Sequence, residues 1–340
     1  MTNKNDQMDI IGFGALNMDQ LHMVDKIAGS DEESFIHGFQ ESCGGSAGNT
    51  IIGASRLGLK TGFVGKLASD REGDLLYQNL IQEGVDANGL IISPIGRSGR
   101  VMGFVDKKGD RALYVEPGIN DEITIDQIDV DYVSKSKIIH LSSFVGNSFN
   151  AQEDLLSQIP DEVMVSFDPG RIYAEKGFNA LKKILNRTDI LLINEAELKI
   201  ILASENDKID SNIKSNLNNF DLLSNLDKES NDKSNLIRSF DIFMDMGIDT
   251  IVVKMGDKGS FAFNGSQEVF VPCFEVKCID TTGAGDSFNA GFLYSKINDF
   301  SLEKSCEFGN LVASKCVECT GATNGLPSIS NIDLEKYEKN

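Results

Sequence analysis

Asp280-Thr-Thr-Gly-Ala-Gly-Asp-Ser-Phe-Asn-Ala-Gly-Phe-Leu293 is the stretch on which the reading of this 340-residue chain turns. Gly283, Ala284 and Gly285 open a run whose apolar residues recur at helical spacing, so a helix is expected from Gly285 to Ile297. The first N–H groups of a helix lack an intrahelical partner and the dipole is positive there, which makes the turn a ready anion site. Small side chains let a phosphate approach that backbone. Asp286 adds a carboxylate in the first turn. Ground-state phosphate binding has no use for that charge, but phosphoryl transfer needs a base to orient the attacking hydroxyl and accept its proton. The plainer alternative is a glycine-rich helix start in which Asp286 merely favours the dipole.

Working outward, Asp9–Ala15 is a short apolar run ending in glycines, the pattern of a buried strand. Gln20–Gly44 mixes short apolar and polar stretches without a helical period, as strands of an exposed antiparallel sheet do. Ala47–Leu57 is a helix closed by Gly58, Thr61–Gly65 a strand, and Asp74–Glu83 a helix closed by Gly84. Arg100–Asp106 and Arg111–Val115 form a hairpin across Lys107–Asp110. Ile138–Leu141, Val163–Phe167, Ile190–Ile193 and Thr250–Val253 are strands separated by helical stretches. That alternation predicts an α/β fold, a mostly parallel sheet covered on both faces. Phe261–Phe263 and Val269–Val271 resume short β structure, and a last helix runs from about Leu302 to Cys316. Ser204–Ile237 is dominated by Asn, Ser, Asp, Lys and Glu, a composition that buries too little surface to offset ordering entropy. It is expected to be a mobile surface insertion, with weak helix around Phe220–Leu226.

Composition narrows the function. The chain carries 32 Lys+Arg against 52 Asp+Glu, a formal net charge of −20, which argues against nucleic acid and anionic membrane as partners. No apolar run approaches the roughly 20 residues needed to span a bilayer, and the first eight residues do not resemble a signal peptide. A cytoplasmic protein with six free cysteines is expected. Cys316-Val-Glu-Cys319 lacks the second pair or nearby histidines that structural zinc needs, so it is read as small residues near a helix end. Two better-known phosphate motifs are missing. Gly65-Lys66 is followed by Leu67 and lacks the upstream glycine of a Walker A loop, and Gly12-Phe-Gly14 continues to Asn17 in place of a third glycine.

At this level the chain resembles the PfkB, ribokinase-like, carbohydrate kinases. The Asp280–Leu293 stretch is similar to that family's C-terminal signature. Gly44-Gly-Ser-Ala-Gly-Asn49, with Ala54–Gly58 and Val64–Asp70 through Gly73-Asp74, is similar to the N-terminal one. Asn194-Glu-Ala-Glu197 resembles the Asn-x-x-Glu motif, and Lys254-Met-Gly-Asp-Lys-Gly259 the nucleotide-loop motif. The resemblance spans nearly the whole chain outside the polar insertion. It implies a three-layer ribokinase-like domain with a mostly parallel central sheet, and a small β-sheet lid from residues 20–44 and 97–118. The lid would close over the acceptor, exclude water, and offer a surface for a homodimer.

The resemblance also implies roles, position by position. Asp286 matches the catalytic base, and the amides of Gly283, Ala284, Gly285 and Asp286 match the anion hole. Asn17, Asp19, Gly45 and Asn49 match the acceptor side; Asn194, Lys254, Gly256, Gly259 and Asn310 match the nucleotide side. Glu197 is expected to order Mg²⁺ through water, and Asp280 and Thr282, with a carbonyl from Gly321, stand where some members bind K⁺. The implied reaction is ATP-dependent phosphorylation of a hydroxymethyl group on a sugar or nucleoside. Ribokinases typically carry Gly-Gly-Lys-Gly where this chain has Gly44-Gly-Ser46-Ala47, which is closer to nucleoside-kinase members, while Phe167-Asp-Pro-Gly-Arg171 is similar to a segment of sugar kinases. Cys319 stands about where ribokinase has a basic residue. A non-catalytic sugar- or nucleotide-binding protein of the same fold is the alternative of another class. An intact Asp286 weighs against it.

Overall fold

The computed structural model describes residues 7–205 and 239–334. All but the first two residues of the Ser204–Ile237 insertion therefore lie outside the described residues.

Period-2 alternation in the apolar strands divides the molecule into two cores. In the strand Ile190–Asn194, Leu191 and Ile193 belong to one buried cluster while Ile190 and Leu192 belong to the other. Ile10 and Ile11 of the first strand divide in the same way. A strand buried on both faces must sit inside a sheet covered on both sides. The helices Ser148–Leu156, Phe178–Leu185 and Glu195–Ser204 cover one face. Ser46–Arg56, Arg71–Gln82, Ala284–Ile297 and Leu302–Val317 cover the other. Three layers result.

In chain order the strands are β1 (Met8–Phe13), β2 (Asn17–Val24), β3 (Ile36–Gly44), β4 (Thr61–Ala68), β5 (Leu90–Ser93), β6 (Gly99–Val105) and β7 (Arg111–Glu116). They continue as β8 (Ser136–Ser142), β9 (Met164–Asp168), β10 (Ile190–Asn194), β11 (Thr250–Lys254), β12 (Ser260–Phe263) and β13 (Glu268–Val271). The large sheet has the order β13-β12-β11-β10-β9-β8-β1-β4-β5. Its seven strands from β11 to β5 are parallel, and β12 and β13 are added antiparallel at one edge. Four strands, β3-β2-β6-β7, make a separate small sheet in which only β2 and β6 run parallel.

The fold therefore has the expected class, with three adjustments. The small sheet starts at Asn17 rather than Gln20, which puts Asn17 and Asp19 on its second-from-edge strand. The helix expected from Asp74 begins at Arg71, because the Asp70 carboxylate accepts the Gly73 N–H (2.8 Å) and caps it. The strand β5 has no counterpart in the sequence reading: four residues at a sheet edge, none of them buried, give no periodic signal. Among the described residues, no helix is long and apolar enough to cross a membrane.

Candidate active site

Parallel strands β9, β10 and β11 end side by side, and each ends on a polar residue: Asp168, Asn194 and Lys254. Ligands of open α/β sheets bind outside such carboxyl ends. Here the start of the helix Ala284–Ile297 meets them.

That helix starts from Gly283, whose φ of 77° is left-handed; a Cβ there would also lie 2.6 Å from the Ala322 Cα. Glycine meets both demands at once. The Ala284 N–H turns back onto Thr281 O (3.2 Å), so of the four expected anion-hole amides those of Gly283, Gly285 and Asp286 remain for a ligand. Asp280 fixes the approach to this turn. Its Oδ1 accepts from Thr282 N (2.9 Å) and Oγ1 (2.7 Å), and its Oδ2 accepts from Gly321 N (2.8 Å). Burial pushes the Asp280 carboxyl up, but the Gly321 and Thr282 donors outweigh it and hold it below the usual carboxylate range. Gly321 thus ties its N–H to Asp280, which leaves its carbonyl a separate group. Cys316 lies beneath the same turn, its Sγ 3.3 Å from Ala322 O and 3.5 Å from Thr282 O.

Asp286 is held from the other end of the chain. Ser46 Oγ donates to its Oδ1 (2.5 Å), Asn49 Nδ2 to its Oδ2 (2.8 Å), and Thr50 Oγ1 to its carbonyl (3.2 Å). All three donors sit in the first turns of Ser46–Arg56, which starts after Gly45 at φ 116°. A side chain at Gly45 would place its Cβ 2.2 Å from Ala15 O, so glycine lets this helix start close to the exit of β1. Burial raises the Asp286 carboxyl above its ordinary range; the Ser46 and Asn49 hydrogen bonds pull it partly back. Asp19 is pushed up to about 6, first by burial and then by the charge of Asp286.

A second polar cluster was only half legible. Lys254 Nζ lies 2.6 Å from Asp168 Oδ2 and 3.2 Å from Asn289 Oδ1, while Asn289 Nδ2 donates to the same Asp168 oxygen (2.6 Å). Burial opposes both charges, yet the pairing wins: Asp168 is held below and Lys254 above its ordinary range. Sequence reading singled out Lys254 and missed both partners. Asp168 could have been found as the polar residue ending an apolar strand, and Asn289 as lying one helical turn beyond Asp286.

Asn194 and Glu197 form a capping box. Asn194 Oδ1 accepts the Glu197 N–H (2.9 Å), and Glu197 Oε2 accepts the Asn194 N–H (3.0 Å). The motif spacing is thus that of a helix start that also faces a cavity. Burial, then the charge of Asp168, raises the Glu197 carboxyl. Asn310 donates to Val271 O (3.0 Å) and Pro272 O (3.2 Å), anchoring the strap that leaves β13.

Asp286, Gly285, Lys254, Glu197, Asn194 and Ser46 line one cavity of about 330 Å³. A second, of about 470 Å³ and lined by Phe274, Val276 and Val317, shares Gly256, Ala284, Asn310 and Ala313 with it. A polar chamber thus continues into a more apolar one. The backbone at the junction is open: a Cβ on Gly256 would meet nothing within 4 Å, and one on Gly285 only Lys254 Nζ at 3.5 Å. Gly259 (φ 111°) turns the chain back beneath it. The structure brings Asp286, Ala284, Gly285, Ser46, Asn194, Glu197, Lys254, Gly256, Gly259 and Asn310 together in the lining of the first cavity, and Asn49 joins them through its bond to Asp286. Asn17 and Asp19 lie on the small sheet, Asp19 near enough for the Asp286 charge to raise its carboxyl, and Asp280 and Thr282 lie just ahead of the helix start; none of the four lines either cavity.

Comparison with known proteins agrees with this geometry. Residues 8–329 match the pfkB family of carbohydrate kinases. The chain is 38% identical over 280 residues to an uncharacterized sugar kinase of Archaeoglobus fulgidus, covering 81% of this chain and 98% of that one. It is 26% identical over 326 residues to an ATP-dependent ribose-1-phosphate kinase of Halopiger xanaduensis, covering 95% of each. The structure of Arabidopsis thaliana ribokinase complexed with ribose and ATP superposes with a TM-score of 0.78 at 22% identity, covering 95% of this chain and 97% of that one. The chain belongs to the pfkB family of carbohydrate kinases, phosphotransferases whose acceptor is a sugar hydroxyl.

Proposed function

We propose that the protein transfers the γ-phosphoryl group of ATP to a hydroxymethyl group of a sugar or nucleoside, with Asp286 as the base. The observation that carries this reading is the buried Asp286 carboxylate, fixed by Ser46 and Asn49 at a helix start that lines one cavity with the Lys254 ammonium. A carboxyl raised by burial is a better proton acceptor than an exposed one. The acceptor hydroxyl gives its proton to Asp286 as its oxygen bonds to the γ-phosphorus; the bond from that phosphorus to the bridging oxygen breaks, and ADP leaves. The Gly283, Gly285 and Asp286 amides then meet the charge on the transferring oxygens. Among the described residues lining the cavity, Lys254 is the one cation, so it is placed to offset that charge. Adenine would take the apolar chamber past Gly256 and Asn310.

Magnesium bound with the triphosphate would neutralise phosphate charge, and the Glu197 carboxylate, facing the same cavity, is an oxygen donor of the kind that orders its water shell. Asp280 and Thr282 are read as the K⁺-responsive part of the turn. Asn17, Asp19, Gly45 and Asn49 form the acceptor side, with the small sheet as lid over it. That sheet exposes Ile36, Phe39, Leu113 and Tyr114, apolar surface suited to pairing with a second copy. Sugars are the first class to test, since the relatives are sugar and sugar-phosphate kinases; Ser46 in place of a lysine keeps nucleosides in the screen. ADP release measured over ribose, fructose, fructose phosphates, adenosine, cytidine, inosine and 2-keto-3-deoxygluconate tests the reading. No turnover with any of them, alongside intact ATP binding, would favour a binding protein.

A further inference from the structure

Asn120 is 1% exposed and lies in the turn Gly118–Glu122, where the chain returns from β7 to the core. Its side chain reaches the place where the chain first leaves the core, between β1 and β2. Asn120 Oδ1 accepts the Leu16 N–H (3.2 Å), and its Nδ2 donates to Leu16 O (2.8 Å) and to Asn17 Oδ1 (3.0 Å). The two partners on Leu16 are backbone groups of fixed polarity, so the orientation of the Asn120 amide is determined by them. A donor must therefore face Asn17, and the Asn17 carboxamide must turn its oxygen toward Asn120. Gly99 makes room for this pair: a Cβ there would fall 2.1 Å from Asn120 Nδ2 and 2.2 Å from Asn17 Oδ1.

With its oxygen engaged, Asn17 has its NH₂ left for a ligand. Asp19 lies two residues further along β2 and so on the same face of the small sheet. An ionised carboxylate only accepts hydrogen bonds. The pair offers a donor and an acceptor in a fixed order.

We propose that Asn120 is a positioning residue for the acceptor: it sets Asn17 as a hydrogen-bond donor to an acceptor oxygen beside the hydroxyl bound by Asp19, and ties that polarity to the seating of the small sheet. This rests on the kinase reading above. The ligand class that fits is a vicinal diol, one hydroxyl taking a hydrogen bond from Asn17 and the next giving one to Asp19.

The test uses Asn120→Asp, which keeps the shape but cannot donate to Asn17, in the wild-type and Asn17→Ala backgrounds, with ribose and adenosine as acceptors. Alone it should raise the acceptor KM about tenfold and leave the ATP KM within about twofold. In the Asn17→Ala background its effect on acceptor KM should vanish, while any fall in melting temperature persists, because the donation to Leu16 O is lost in both. Gly99→Ala, which crowds the same bond, should reproduce the KM split and serves if Asn120→Asp does not fold. Equal rises in both backgrounds, or parallel rises in acceptor and ATP KM, would overturn the proposal. An unchanged acceptor KM in an active enzyme overturns the role of Asn120 alone; a wild type that turns over no acceptor in the screen overturns the kinase reading with it.

Discussion

Asn49 Nδ2 donates to Asp286 Oδ2 at 2.8 Å, a contact between residues 237 positions apart that joins the first turns of two helices. With Ser46 on the other oxygen, it holds the carboxylate at the helix start, where an unpaired buried carboxylate would protonate or swing away. Two motifs at opposite ends of the chain thus meet, and the one holds the carboxylate of the other in place.

Asp286→Asn keeps the shape but cannot take a proton, and Ser46 or Asn49 must turn to accept from its NH₂. General-base contributions run to about 10²–10⁴-fold, so kcat should fall by at least ~10². MgATP affinity by calorimetry should be retained or rise slightly, since a negative charge beside the triphosphate is removed. Near-normal turnover would sink the base assignment, and loss of both properties would point to a collapsed turn.

The pH profile should move in opposite directions in two variants. Asp286 and Asp19 are both raised carboxyls, Asp19 to about 6, so acceptor kcat/KM should fall as pH drops through about 6 and these groups protonate. Ser46→Ala removes a hydrogen bond that favours the Asp286 anion, so its carboxyl rises and the acid limb should shift to higher pH. Asp19→Asn removes the carboxyl pushed up to about 6 and leaves Asp286 to set the acid limb, which should shift to lower pH. Limbs unmoved in both would assign the titration to other groups.

Gly283→Ala tests the turn itself. The substitution forces a left-handed φ on alanine and drives its Cβ to 2.6 Å from Ala322, so the turn must shift. Strain of this kind costs about 1–3 kcal/mol. Urea unfolding should show that loss, and the ATP KM should rise with kcat falling, because the displaced amides serve both ground and transition states. An unchanged ATP KM would remove these amides from the nucleotide site.

The strand ladder and the main helices could be read from the sequence because each carries its own period. The sequence also located the Asp286 turn, because small residues there open a run of apolar residues at helical spacing. What stayed hidden was the partnering. Asp168 stood just past an expected strand, Asn289 was one residue of an expected helix, and Asn120 carried no signal. Their roles arise only where strand ends and chain crossings meet. No periodicity encodes the Lys254–Asp168 or Asn120–Leu16 contacts, which span 86 and 104 positions.

Lys254 offers the sharpest separation of stability from chemistry. Lys254→Met leaves Asp168 buried without its counter-ion, and breaking such a pair from one side costs about 3–5 kcal/mol. Unfolding in urea should show a loss of that order. The double variant Lys254→Met/Asp168→Asn removes the stranded charge and keeps an oxygen to accept from Asn289, so most of the stability should return. Activity should not. Both variants lack the cation facing Gly285 while Asp286 and Glu197 still line the cavity, so ATP KM should rise and kcat should remain reduced at least tenfold in each, about 1.4 kcal/mol of lost transition-state stabilisation. Recovery of kcat together with stability in the double variant would show that Lys254 serves the fold alone, and the charge on the transferring phosphoryl would have to be met by the amides and the metal.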